Sequence, residues 1–391
     1  MYEDPNDTIG QCRQLGLTTM TPTALFDYCL KSRDHFLRVT SYLRIQPNKE
    51  IGSRTGAFRC VPIELIEMIV LLLGVTDNIR FGATCRVHKA VASRAFLALG
   101  ANRIRPYNLS LIHLRFLQSC TNAMIAGTVL KRLLHTGEDL RWPSWRLHDP
   151  APVSPLTLDF YCPRYKGGEV RRFLALATGY EYDREPLDTA TDVFTLRETF
   201  TLTHQLRPSI NIYEANSDNP LDAILHLPVT ADICAWTLDR IWLGYPNPTF
   251  EGIAITSPNR LRTGTLEDEQ KTWGVLHTNL QNGFWIDSRW SGQHTCLVSP
   301  NCPTSWRTND DAGCLSIMFP NLPFTADCTE YIWNFGDTSW TLGAIALCYN
   351  AWSRKPVRKS FRQHECKQIH QEPSTLIDPL QMKYGKIVCM T

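Results

Sequence analysis

The sequence has no apolar run able to cross a bilayer. Its longest, Ile69 to Val75, falls far short of the roughly 20 residues required, and the opening MYEDPNDTIG is acidic and polar with no apolar signal core behind it. We therefore expect a soluble protein of the cytoplasm or nucleus with no membrane partner. Charge of one sign is also lacking, since 40 Lys and Arg stand against 38 Asp and Glu for a formal +2. No global pull toward nucleic acid follows, and no nucleic-acid partner is expected. Internal repeats and low-complexity blocks are absent. So are a P-loop and any Ser/His/Asp or Cys/His arrangement with supportive local spacing.

What is present points to folded cores. At 391 residues the chain exceeds the usual domain of roughly 100 to 200 residues, so two or three cores are expected. The 43% hydrophobic and 20% charged composition is that of a globular protein. Without a signal core, the 14 cysteines read as thiols of a reducing compartment.

Along the chain, Thr21-Pro22 is an N-cap and first-turn pair, with Leu25, Phe26, Cys29, Leu30 and Phe36 at helical spacing behind it, predicting a helix to about Leu43. QPNKEIGSRTGA (46–57) is a linker. Three short helices follow: one after Pro62, one with Asp77 as N-cap, and one from about Val87 to Leu99. Helical signal continues from Leu109 to Leu134. Pro143, Pro150, Pro152 and Pro155 then mark a loop or insertion. Beyond it, LTLDFY (156–161) and INIY (210–213) read as strands around a helical EVRRFLALATGY (169–180). Nine of the eleven tryptophans lie from Trp236 onward, which predicts locally packed, irregular structure there.

The first helix of the module, VPIELIEMIVLLLG, places Ile63, Ile66, Ile69, Val70 and Leu73 on one face, yet Leu65, Met68 and Leu72 lie largely off it. A helix this apolar all round is either central to a larger core or presents its second face to a partner. The segment CVPIELIEMIVLLLGVTDNIRFGATCRVHKAVASRAFL resembles the F-box, through Pro62, Glu64, Leu65, Ile69 and Leu72 in the first helix, Asp77 at the second, and the Cys85-Arg86 pair. It departs at Val61, where leucine is commoner, and at His88, where the family usually has tryptophan. The resemblance implies that Pro62, Leu65, Ile69 and Leu72 dock on the Skp-type adaptor of a cullin ubiquitin ligase. Replacing the indole by His88 removes buried apolar area worth about 1–2 kcal/mol. The plainer reading of His88 is a surface or core-edge histidine.

A second resemblance covers about residues 110–255. TNAMIAGTVLKRLL (121–134) followed by LTLDFYCP is similar to divergent polymerase-beta-type nucleotidyltransferases common in basidiomycete fungi, in which a small-residue helix start precedes a strand carrying Asp-x-Asp. LDAILHLPVTADICAWTLDRIWLGYPNPTFEG (221–252) continues it. The resemblance implies that Gly127 and Thr128 stand where backbone N–H groups approach a nucleotide triphosphate. A Gly-Thr pair alone is a weak signal, and a close helix-packing contact is the plainer explanation of it. Strand alternation sets Thr157, Asp159 and Tyr161 on one face, so a threonine occupies one of the two carboxylate positions. On the neighbouring strand Asn211 and Tyr213 share a face and Glu214 has the other parity. Two-metal chemistry needs converging carboxylates, and half of the motif is missing. Asp159 is then a weak catalytic candidate, and Mg²⁺ enters only if an unidentified second carboxylate exists.

His294, Cys296, Cys302, Cys314 and Cys328 lack paired zinc spacing and read as buried thiols; His364, Cys366 and His370 make a still weaker set. No metal or other cofactor is expected. Residues 353–367 hold Arg354, Lys355, Arg358, Lys359, Arg362 and Lys367 against Glu365, by default a solvated basic face.

The expected architecture is α+β: an N-terminal helix and linker (1–58), an F-box-like helical module (59–105), a mixed α/β nucleotidyltransferase-like domain (106–255), an aromatic-rich region (256–352) and a basic tail (353–391). The leading expectation is an F-box-like receptor that presents an unknown protein substrate to the ligase. One alternative is an active metal-dependent nucleotidyltransferase; another is a structural interaction protein whose helical module is buried by its own chain.

Overall fold

Local capping chemistry sets where the helices begin and end. The computed structural model describes residues 20–35, 38, 66, 69–71, 73, 75–84, 86–134, 157–182, 196–256, 266–287, 302, 305, 307–308, 311, 313–319 and 339–340. Helix α1 spans Pro22–Cys29, with the Thr21 side chain accepting from the Ala24 N–H at 3.2 Å. It buries Leu25, Phe26 and Cys29 and ends at Cys29, not near Leu43. The Ser32 hydroxyl accepts the His35 N–H and opens a separate helical turn, which is why the expected longer helix is broken. Phe36 lies outside the described residues.

The helical module has its own small core, in which Ile66 and Val70 pack with Val91, Ala92 and Ala95, flanked by Leu73 and Phe81. Helix α2 is Val75–Thr84. It begins two residues before Asp77, so Asp77 lies in the first turn and pairs at 3.3 Å with Arg80 instead of capping. Helix α3 runs Arg86–Ile104, longer than the sequence suggested. Its later part leaves the module core: Gly100 packs against the outer rim of the buried Trp236 ring, close enough that a Cβ there would lie 2.4 Å from Cη2.

A 3-10 turn, Arg105–Tyr107, ends on left-handed Asn108, and Ser110 caps helix α4, Leu111–Thr121. The expected continuous helix to Leu134 does not form. Asn122 adopts φ +57°, a conformation asparagine tolerates, and the buried run Met124–Ala126 becomes strand β1. Helix α5, Gly127–Leu134, follows directly. Then come β2 (Leu158–Cys162), α6 (Gly167–Thr178), β3 (Glu181–Tyr182), β4 (Leu196–His204), β5 (Arg207–Ala215), α7 (Leu221–Leu225), β6 (Cys234–Trp236) and β7 (Arg240–Leu243). Later elements are α8 (Pro246–Phe250), β8 (Ile253–Ile255), α9 (Leu266–Gln281), β9 (Trp285–Asp287), β10 (Arg307–Thr308), β11 (Leu315–Met318) and β12 (Ser339–Trp340).

Eight strands form one mixed sheet in the order β11-β7-β6-β1-β2-β5-β4-β3. β1 and β2 are antiparallel, β2 and β5 parallel, and β5 and β4 antiparallel. The α+β class expected from the sequence is therefore the class observed. Phe160, Ile212 and Phe200 sit in register on the face that meets α6, where Phe26 stacks on Phe173 at 5.4 Å.

The chain divides into two compact units, described separately. The first holds 1–224, 234–242 and 316–336, so the helical module and most of the mixed region lie within it. The second holds 225–233, 243–315 and 337–391. Its core includes Val229, Ala231, Ala254, Leu276 and Phe284, with β8 and β9 paired in parallel. Among the described residues no helix is long and apolar enough to cross a membrane.

Two helical glycines give opposite expectations. Gly100→Ala drives its methyl group into Trp236 and lowers stability by about 1–3 kcal/mol, and adding Trp236→Phe recovers part of the loss. Gly274→Ala meets nothing within 4 Å in α9 and gains about 0.5–1 kcal/mol. Denaturant melts of the three variants check both signs; a neutral Gly100→Ala removes the packing account.

Candidate functional site

The adaptor-facing candidates begin with helix geometry. Ile66 and Val70, four residues apart, are buried in the module core. Ile69 is 49% exposed and Leu71 40%. The apolar surface of this helix is thus divided between its own core and solvent at the described positions. Pro62, Leu65 and Leu72 lie outside the described residues, as does Cys85. His88 stacks on Phe81 at 4.2 Å with an interplanar angle of 20°, its Nδ1 2.6 Å from Thr84 Oγ1. It is a half-buried histidine stacked at the edge of the module core.

The nucleotidyltransferase-like candidates Gly127 and Asp159 are brought together by strand register. Ala126, Asp159, Asn211 and Thr201 form one rung across β1, β2, β5 and β4. Along it Thr201 Oγ1 donates to Asn211 Oδ1 at 3.2 Å, and Asn211 Nδ2 donates to Asp159 Oδ1 at 2.9 Å. Thr157 Oγ1 lies 3.4 Å from Asp159 Oδ2. Gly127, the first residue of α5, has φ +71°, and a Cβ on it would lie 2.4 Å from that same Oδ2. Both reasons require glycine: the left-handed backbone and the carboxylate pressed against it. Thr128 is buried in the first turn behind it.

The surroundings of this carboxylate are tyrosines. Burial first, then the Asp159 charge and Tyr180, push the Tyr107 phenol above its ordinary range against the pull of Arg132. Burial and then Asp159 do the same to Tyr213, opposed by its hydrogen bond with Asn211. Tyr213 stacks on Tyr161 at 4.9 Å in the next rung. Both phenols are therefore neutral hydrogen-bonding groups.

Glu214 serves the opposite face. Buried at 3% exposure, it accepts the Gly167 N–H at 2.9 Å and the Tyr165 N–H at 3.0 Å, and pairs with Arg197 at 3.0 Å. It fastens the start of α6 to β5, which is a capping role. The residues present do not fit paired magnesium ions: Asp159 is the one carboxylate on its rung, both its oxygens face hydrogen-bond donors or Gly127, and Glu214 points the other way. No group of three or more His, Cys, Asp or Glu able to hold a metal occurs among the described residues.

Of the cysteine and histidine candidates, Cys302 is buried and Cys314 lies 3.3 Å from Arg307 Nη2; neither is joined in a disulfide. Burial pushes the Cys314 thiol up to about 12, partly offset by Arg307. His294, Cys296, Cys328, His364, Cys366, His370 and the basic residues of 353–367 lie outside the described residues. What the sequence did not suggest is that Arg307, 1% exposed, is anchored by Asp311 and lies 5.1 Å over the Tyr245 ring. Asp311 also accepts the Thr308 and Gly313 N–H groups, so this pair closes a loop of the second unit.

No protein-family model matches the chain, and no curated protein or solved structure gives a significant match.

Two outcomes follow from these polar clusters. Gly127→Ala destabilises by about 1–3 kcal/mol through backbone strain and the Asp159 contact; in a double-mutant cycle with Asp159→Ala the two losses are less than additive, and strict additivity would separate the residues energetically. For Asp311, burial raises the carboxyl, but the Arg307 hydrogen bond and charge and two backbone N–H groups outweigh it and hold it below 3.8. Its contribution is therefore fully present above the ordinary pKa and is lost as pH falls through the depressed folded value. Acid titration of tryptophan fluorescence should show Asp311→Asn shallower below about pH 4, with Arg307→Met destabilised by about 3–5 kcal/mol at neutral pH.

Proposed function

We propose that this protein is a non-catalytic adaptor: its N-terminal helical module docks, F-box-like, on a Skp-type adaptor of a cullin ubiquitin ligase, and a nucleotidyltransferase-like scaffold carries a surface for a protein substrate. The observation that carries the reading is the division of one helix, with Ile66 and Val70 in the module core while Ile69 and Leu71 face solvent. Exposed aliphatic side chains beside a complete small core are what a docking helix needs. The exposure of Ile69 runs against a module wholly buried by its own chain.

The scaffold part rests on order and register. A small-residue helix start follows β1, the next strand carries Asp159, and a parallel strand places Asn211 where a third carboxylate is sought. That order supports the resemblance, while the side chains argue against transfer chemistry. Threonine and asparagine stand at two carboxylate positions, and the α5 N-terminus already has an anion against it.

Co-purification with a recombinant Skp-type adaptor tests the reading. Wild type is expected to bind, Ile69→Asp to lose about tenfold or more by burying a charge in an apolar contact, and Leu65→Asp with Ile69→Asp to lose all detectable binding, with melting temperatures kept within a few degrees. An adaptor-free wild type sinks the proposal. Magnesium-dependent NTP binding that disappears in Asp159→Ala would move the assignment to the enzyme reading.

A further inference from the structure

Helices α2 and α3 and strand β11 bound a groove of about 470 Å³, a volume typical of small-molecule sites. Its lining lies within the first unit. A glycine lets the two helices meet there: a Cβ on Gly82 would lie 3.2 Å from Ala92 Cβ and 3.5 Å from Lys89 Cα. Lys89 therefore stands at the α2–α3 contact. The side chains of the lining that solvent reaches include Ile79 and Ala83 of α2 and Met318 of β11, and the buried Phe96 and Ile317 lie among them. Asn78 lies behind this surface with no accessible area, so an occupant does not reach it.

Charge selects one end of an occupant. Among the described residues Lys89 is the one charged residue of the lining; it is exposed, and no ion pair engages it. Its surroundings are basic as well. Residues 75–104 hold Arg80, Arg86, Lys89, Arg94 and Arg103 against Asp77, which is paired with Arg80 at 3.3 Å. The complementary group is therefore an anion. The remaining chemistry selects the other end. Ile79, Ala83 and Met318 carry no hydrogen-bonding side chain for a peptide backbone, whereas a hydrocarbon chain needs none and gains by leaving water. The Phe96 ring is 1% exposed and offers no face on which a planar ligand would stack. Met318, 36% exposed and unbranched, adapts to a flexible chain.

We propose that this groove binds a free aliphatic monocarboxylate of the fatty-acid type, with its chain against Ile79, Ala83 and Met318 and its carboxylate toward the Lys89 ammonium. The inference does not rest on the adaptor reading, since Ile69 and Leu71 are not part of the groove.

Isothermal titration calorimetry with the full-length chain tests it, using decanoate, decanol and decylammonium, each below its micelle concentration, and acetate. Decanoate should bind most tightly, decanol about tenfold or more weaker, and decylammonium and acetate without detectable heat. Lys89→Glu should reverse the preference between decanoate and decylammonium. Ala83→Trp sets an indole over the groove and should abolish decanoate binding. Both positions are exposed, so melting temperatures should stay within a few degrees of wild type. The proposal is overturned if decanoate does not bind, if decylammonium or decanol binds wild type as tightly as decanoate, if Lys89→Glu leaves the preference unchanged, or if folded Ala83→Trp binds like wild type. Concentration-dependent self-association in sedimentation velocity, lost on Ala83→Trp, would overturn it in favour of a second copy in the groove.

Discussion

The carboxylate of Asp159 determines how the central sheet meets helix α5. A negative side chain placed against the first residue of a helix sits where the peptide dipoles leave a partial positive charge, and Gly127 at φ +71° lets it approach without a Cβ between them. Asn211 and Thr157 hold the carboxylate from neighbouring positions, and Thr201 holds Asn211. A fold built for phosphate transfer keeps its helix N-terminus open for the ligand's charge. Here the chain supplies the anion itself, and the rung gathers hydrogen-bond donors around it.

Helix α3 carries the consequences across the first unit. Val91, Ala92 and Ala95 close the module core with Ile66 and Val70, while Gly100 seats the later turns on Trp236 of β6. One helix thereby belongs to two packed regions. This is why the 59–105 segment, read from the sequence as a module, shares a compact unit with the sheet that follows it. Under the proposed function, the same helix backs the exposed Ile69 and Leu71, so that surface is mounted on an element fixed by a buried tryptophan.

Periodicity and parity were legible in the sequence because they depend on near neighbours. Alternation in LTLDFY and INIY set Asp159 and Asn211 on one face and Glu214 on the other, as the register has them. Thr21-Pro22 gave the start of α1, since a cap is a local bond. Helix ends were less legible. Ser32 and Asn122 are ordinary helix-surface residues in a pattern count, and only their backbone bonding shows that they stop a helix. The run Ala123–Ala126, buried throughout, has no polar side from which to tell strand from helix. The role of Glu214 as a cap for α6 was invisible for another reason: it joins a side chain to backbone groups that only the folded chain brings near, whereas the Arg307–Asp311 anchor is a local i,i+4 pair that the sequence analysis passed over.

The buried polar groups differ in how fully the chain compensates their desolvation. Glu214 and Asp311 each bind an arginine and two backbone N–H groups, so their desolvation is compensated within the chain. Asn78 has no such compensation, and an unpaired buried amide costs about 1–3 kcal/mol relative to a satisfied one. Leucine or methionine would fill the same place in a helix at no such cost.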